Sequence, residues 1–131
     1  MKKNELLKEW LRRAKSNLER AKIGKNKIED ILYEDLCFDC QQCVEKSLKA
    51  LLIFYDISFP RTHSINLLLS LLENQIKNIP IHITDNVILN DYAVETRYPG
   101  FYEPVSEEEY KNSLELADKT FDWVNSIIKK N

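Results

Sequence analysis

An all-α chain is predicted, an antiparallel up-and-down four-helix bundle with a short additional helix. Apolar residues recur at helical spacing along nearly the whole chain, and no period-two run of useful length interrupts them. Only two Gly and four Pro occur, so tight turns are few and long helices are favoured. The 131 residues can bury a core without disulfide staples, and with no linker or internal repeat, 1–131 reads as one domain.

The first helix is expected from about Glu5 to Ile23. Leu7, Trp10, Leu11, Ala14, Leu18 and Ala21 form its apolar stripe, Lys8, Arg12, Lys15, Glu19 and Lys22 a charged one, and Gly24 a stop. The second runs from about Ile31 to Tyr55. After the break "DISFPRTHS", with Pro60 at its middle, a third covers about Ser64 to Lys77, capped by Thr62 or Ser64. "NIPIHIT" reads as a connection, with Thr84 capping a fourth helix that continues to about Arg97. Pro99 and Gly100 end it. In "VSEEEY", Ser106 caps the last helix, Glu109 reaches back, and Val105 and Tyr110 staple across the turn. Tyr110, Leu114, Ala117, Phe121, Val124 and Ile128 carry the stripe onward.

Net charge is near neutral but unevenly spread. Residues 1–28 hold ten Lys/Arg against three acids, and residues 29–131 hold nine against eighteen. A basic first helix suits a phosphate backbone. The plainer reading, that it faces the acidic last helix or solvates one surface, is preferred. The N-terminus lacks the apolar core of a signal peptide, and no stretch approaches a membrane span. The chain is therefore expected in the cytoplasm, with no membrane partner. In that reducing compartment Cys37, Cys40 and Cys43 are not expected to form structural disulfides.

Those cysteines sit in "LCFDCQQCVEKSLKALL" on the second helix. Cys37 and Cys40 share its apolar face with Leu36, Val44, Leu48 and Leu51, whereas Cys43 falls about 120° away from Cys37 around the axis. Three diverging thiolates without a fourth Cys do not make an iron–sulfur site, and neither His63 nor His82 is positioned to complete a zinc site. The thiols are read as packing residues, with no metal and no cofactor. On the polar side, Gln42, Glu45, Lys46 and Lys49 form a ridge in which Glu45 and Lys49 can pair. Spacing alone favours a solvated face.

"CFDCQQCVEKSLKALLIFYDISFPRTHSINLLL" followed by "LNDYAVETRYPGFY" resembles the HEPN domain family. The matching elements are Gln41, Gln42, Glu45, Lys46, Lys49, Ala50, Leu51 and Leu52, then His63, then Arg97, Tyr98 and Pro99. The resemblance covers about residues 5–130. It implies a helical bundle that dimerises, consistent with surplus apolar residues at Leu67, Leu71 and Ile88. It also implies a minimal nucleotidyltransferase as partner, in some cases within a toxin–antitoxin pair, or RNA cleavage. Ribonuclease-active members carry an Arg followed about four to six residues later by a His, within two helical turns. None of the five Arg here has a His in that window; Lys77 and His82 have the spacing, but Lys lacks the guanidinium fork and Pro80 intervenes.

The expected function is thus a non-catalytic module that binds a nucleotide or RNA, partners a nucleotidyltransferase, or does both. Lys46, Lys49, His63 and Arg97 are the candidate anion contacts, with Tyr98 stacking on a base. The alternatives are a metal-independent ribonuclease toxin and a pure protein-interaction bundle.

Overall fold

A computed structural model describes residues 2–24, 30–92 and 103–130. Helix α1 spans Lys3–Ile23, α2 Tyr33–Phe54, α3 Ile65–Glu73, α4 Ile81–Thr84 and α5 Glu107–Lys130. A 3-10 segment, Asp85–Tyr92, runs straight on from α4. Among the described residues there is no strand, and the fold is the all-α bundle expected from the periodicity. No helix among them is long and apolar enough to cross a membrane.

Helix α2 is the axis of the molecule. It packs chiefly against α1 and α5, and α3 and the 3-10 segment also rest on it. A helix enclosed on several sides buries more than one stripe. Cys43 is therefore as fully buried as Cys37 and Cys40, despite its divergence on the helical wheel. Cys37 Sγ lies 3.7 Å from Ser113 Oγ, and Cys43 Sγ 3.9 Å from the Ala117 carbonyl, both on α5. Burial pushes the Cys43 thiol up to about 12 and raises that of Cys40 as well. Because the thiolate is the reactive form, an aromatic disulfide reagent should modify none of the three until the protein is denatured. A thiol that titrates fast in the native state would show that α2 opens on that side.

Helix α1 ends at Ile23 with Gly24 as its stop, as expected, although Gly24 is right-handed with φ −57°. Gly24 also makes room: a Cβ there would collide with Cδ1 of the buried Leu36. Three other helix ends or caps differ from expectation. Helix α3 ends at Glu73 rather than Lys77, though Ile76 still packs on the core from the following turn. Ser64 is its cap, accepting from Leu67 N at 3.2 Å. The "connection" Ile81–Thr84 is itself helical because Pro80, with φ −55°, starts the turn and Ile83 is fully buried. Thr84 does not cap; its hydroxyl donates to the Ile81 carbonyl at 3.0 Å. The expected end of that helix at Arg97 lies outside the described residues.

Ser106 caps α5 as expected, accepting from Glu109 N at 3.1 Å. Glu109 does not complete a capping box; its carboxylate accepts from the Tyr92 hydroxyl at 2.9 Å and ties α5 to the 3-10 segment. Val105 and Tyr110 are both buried. Lys22 of α1 and Asp118 of α5 pair at 3.4 Å, so the basic first helix does meet the acidic last one, at its C-terminal end.

Candidate functional site

Helix α2 closes at Tyr55, and Asp56, with φ 58°, turns the chain back. The loop that follows carries Phe59 and brings His63 against the outer side of α2. Of the ridge predicted to be solvated, Glu45 and Lys49 are buried and Gln42 and Lys46 are half-buried, and the neighbouring Gln41 is buried with them. Trp10 of α1 and Phe59 of the loop account for this. The Lys49 ammonium lies 5.3 Å from the Trp10 ring centroid and 5.9 Å from that of Phe59, so its charge faces two aromatic rings instead of water.

A buried carboxylate must collect donors, and Glu45 does. Its Oε2 accepts from Lys49 Nζ at 2.9 Å. Its Oε1 is 2.8 Å from His63 Nδ1 and accepts from Gln41 Nε2 at 3.1 Å. Burial alone would push the Glu45 carboxyl up, but the hydrogen bonds from Lys49, His63 and Gln41 together hold it below its ordinary value. An ionised carboxylate can only accept, so His63 Nδ1 carries the proton. Gln41 also donates to the His63 carbonyl at 3.3 Å. The imidazole is thereby fixed at its backbone and at one ring nitrogen, while 70% of its side chain remains exposed. Its Nε2 is the free edge, an acceptor on a neutral ring and a donor on a charged one.

Lys46, one residue on, belongs to a second cluster. It donates to Asn17 Oδ1 at 2.8 Å, and Asn17 donates to Asp39 Oδ1 at 2.9 Å. Arg20 lies 3.4 Å from the same carboxylate oxygen. Burial first, and then the neighbouring Arg13 and Arg20 charges, lower the Lys46 ammonium from its ordinary value against the opposing pull of Glu45 and Asp39. Lys46, Arg13 and Arg20 thus crowd one side of the cluster with positive charge. Asp39 is itself held above its usual range, chiefly by burial.

The structure therefore brings Lys49 and His63 together around Glu45, while Lys46 joins the adjacent Asn17–Asp39–Arg20 cluster. Lys49 holds the carboxylate from within, and His63 and Lys46 are the solvent-reaching groups. Arg97 and Tyr98 lie outside the described residues. His82, the only other histidine, sits elsewhere, beside Trp123 and Lys119 of α5. Asn17, Asp39, Arg13 and Arg20 were not foreseen. A signal existed for Asn17, which shares a helical stripe with Trp10, Ala14 and Ala21; a polar residue in such a stripe needs a buried partner.

The two buried carboxylates set opposite pH dependences. Glu45 lies below its ordinary 4.5 in the fold, so its stabilisation is complete above that value and is lost as pH falls below it. Asp39 lies above its ordinary 3.8, so its burial penalty is relieved as pH falls through its raised value. In urea melts from pH 7 to 3, Asp39→Asn should remove a gain in stability that accompanies the fall in pH through the raised Asp39 value, and Glu45→Gln should remove a loss that sets in below the ordinary 4.5.

A family model described as the HEPN domain matches residues 7–127. The chain belongs to the HEPN domain family. The HEPN fold is also seen in a crystal structure of ST0689, an archaeal HEPN homologue. That protein is 30% identical with a TM-score of 0.73, over 93% of this chain and 97% of that one. The protein TT1696 from Thermus thermophilus is similar as well, 28% identical with a TM-score of 0.76, over 92% and 96% of the two chains. No curated protein matches the chain. The HEPN match spans every element that builds the site, from Trp10 through His63 to α5.

Proposed function

We propose that this HEPN chain, acting as a single module over residues 1–131, binds a nucleotide or RNA without cleaving it. The observation that carries the reading is the clamp on His63. A buried carboxylate holds the imidazole at Nδ1 and leaves 70% of its side chain exposed, and the residue after that carboxylate on α2, Lys46, is crowded by two arginines. An anion there would receive a directed hydrogen bond from His63 in its charged, doubly protonated form and would relieve the repulsion of Arg13 and Arg20 on Lys46. Lys49 positions Glu45 and does not touch the ligand. Arg97 adds a further phosphate contact and Tyr98 a stacking face. The module works in the cytoplasm as a homodimer, through the exposed Leu67 and Ile88, and alongside a nucleotidyltransferase partner. The missing Arg–His spacing argues against cleavage.

A carboxylate-oriented histidine is also how a general base is held, so ribonuclease action is the second reading. The test is titration of labelled single-stranded RNA and of ATP, with a gel run in parallel. Binding should weaken about 10-fold or more in Lys46→Ala and His63→Ala, as expected for the loss of one charge-assisted contact. Helicity should be unchanged and no products should form. Equal binding by both variants would remove the site, and cleavage abolished by His63→Ala would install the second reading.

A further inference from the structure

Resting on that reading of the α1–α2 face, we infer that the ligand is a single-stranded RNA that crosses α1 and ends in a second, basic groove between α1 and α5. The groove has a volume of about 340 Å³. Its floor is formed by Leu11 and Phe121, both half-buried against the core, and its rim by Lys8, Arg12, Lys15 and Lys129. Asp122 is the one acid that lines it. Lys8, Lys15 and Lys129 make no ion pair among the described residues. Such an excess of unpaired charge over an apolar floor suits a phosphate chain with one base stacked below it.

The two basic regions are joined. Glu9 binds Arg12 at 2.7 Å and Arg13 at 2.9 Å, setting the two guanidinium groups side by side on the outside of α1. Arg12 lines the α5 groove, whereas Arg13 acts on Lys46 at the α2 side. Cations therefore lie on both flanks of α1, Lys129 and Arg12 at the α5 groove and Lys46 and Arg20 at the α2 side, with Glu9 holding Arg12 and Arg13 between them. A helix with its side chains is about 10–12 Å across, too wide for the phosphates of one nucleotide to touch both flanks. A mononucleotide would leave the groove unused, and a strand fills both.

The test compares a dinucleotide with a strand of about 12 nucleotides, within the ~4–16-nucleotide footprint usual for single-strand binders. The groove variant is Lys8→Glu/Lys15→Glu/Lys129→Glu; all three positions are exposed, so its helicity should match the parent's. The parent should bind the strand more tightly than the dinucleotide. The variant should lose about 10-fold or more on the strand and little on the dinucleotide. Its log K against log salt slope should shrink by about 2, three contacts at ~0.7 each. A parent that binds both lengths equally, or a variant that binds the strand as the parent does, would overturn the inference and leave the α1–α2 reading standing. Binding of neither RNA nor ATP by the parent would overturn both.

Discussion

Replacing Glu45 with Ala is expected to destabilise the protein by about 3–5 kcal/mol, because it leaves a buried lysine without its counter-charge. Only 8% of the Lys49 side chain is exposed, and its ammonium has the Glu45 carboxylate at 2.9 Å. Gln41, fully buried, would lose an acceptor at the same time. The companion variant Glu45→Met/Lys49→Met removes both charges and should recover most of the loss, since buried ion pairs are often replaceable by apolar residues of similar volume. It should not recover ligand binding, because His63 would keep its exposure and lose its clamp. Urea melts of the parent, the single variant and the double variant decide the matter. A single variant within about 1 kcal/mol of the parent would mean that Lys49 escapes to solvent.

Tyr110→Ala is the second large effect, about 3–5 kcal/mol by the usual cost of emptying an aromatic site in a core. Tyr110 stacks on Tyr33 of α2, with ring centroids 5.4 Å apart and planes 25° apart. Its hydroxyl donates to the Ala21 carbonyl, one of the last in α1 and close to where helical partners run out. One side chain of α5 therefore fixes the end of α1 and the start of α2. Tyr110→Phe should keep the stacking and lose about 1 kcal/mol for the unmade hydrogen bond. Thermal melts that rank the two variants the other way would show that the hydrogen bond, not the packing, holds this corner.

Helix stripes were readable wherever one face alone is buried. The stripe of α5 and the caps Ser64 and Ser106 follow from spacing and local chemistry, both carried by neighbouring residues. The error at Thr84 has a local cause, since Pro80 starts a turn as readily as it breaks one. The site was legible only in part. The Glu45–Lys49 pair is a spacing of four on one helix, but its burial is not. Burial comes from Trp10, 35 positions before Glu45, and from Phe59 in a loop, and neither contact leaves a periodic trace in the sequence. Asp39 likewise reads as a surface acid until Asn17 of α1 is placed against it. The roles of Lys46 and Lys49, three residues apart, separate only once α1 is docked on α2.

The most direct test of the Glu45–His63 clamp as an anion site is the imidazole NMR signals of His63 during titration with single-stranded RNA. Two histidines make the spectrum assignable with His82→Gln as the reference. In the parent, the His63 signals should shift and saturate with the binding curve while those of His82 stay still. In Glu45→Met/Lys49→Met the His63 shift should be small and unsaturated. Binding that saturates with no movement at His63, or an equal shift in the double variant, would contradict the clamp as the source of recognition.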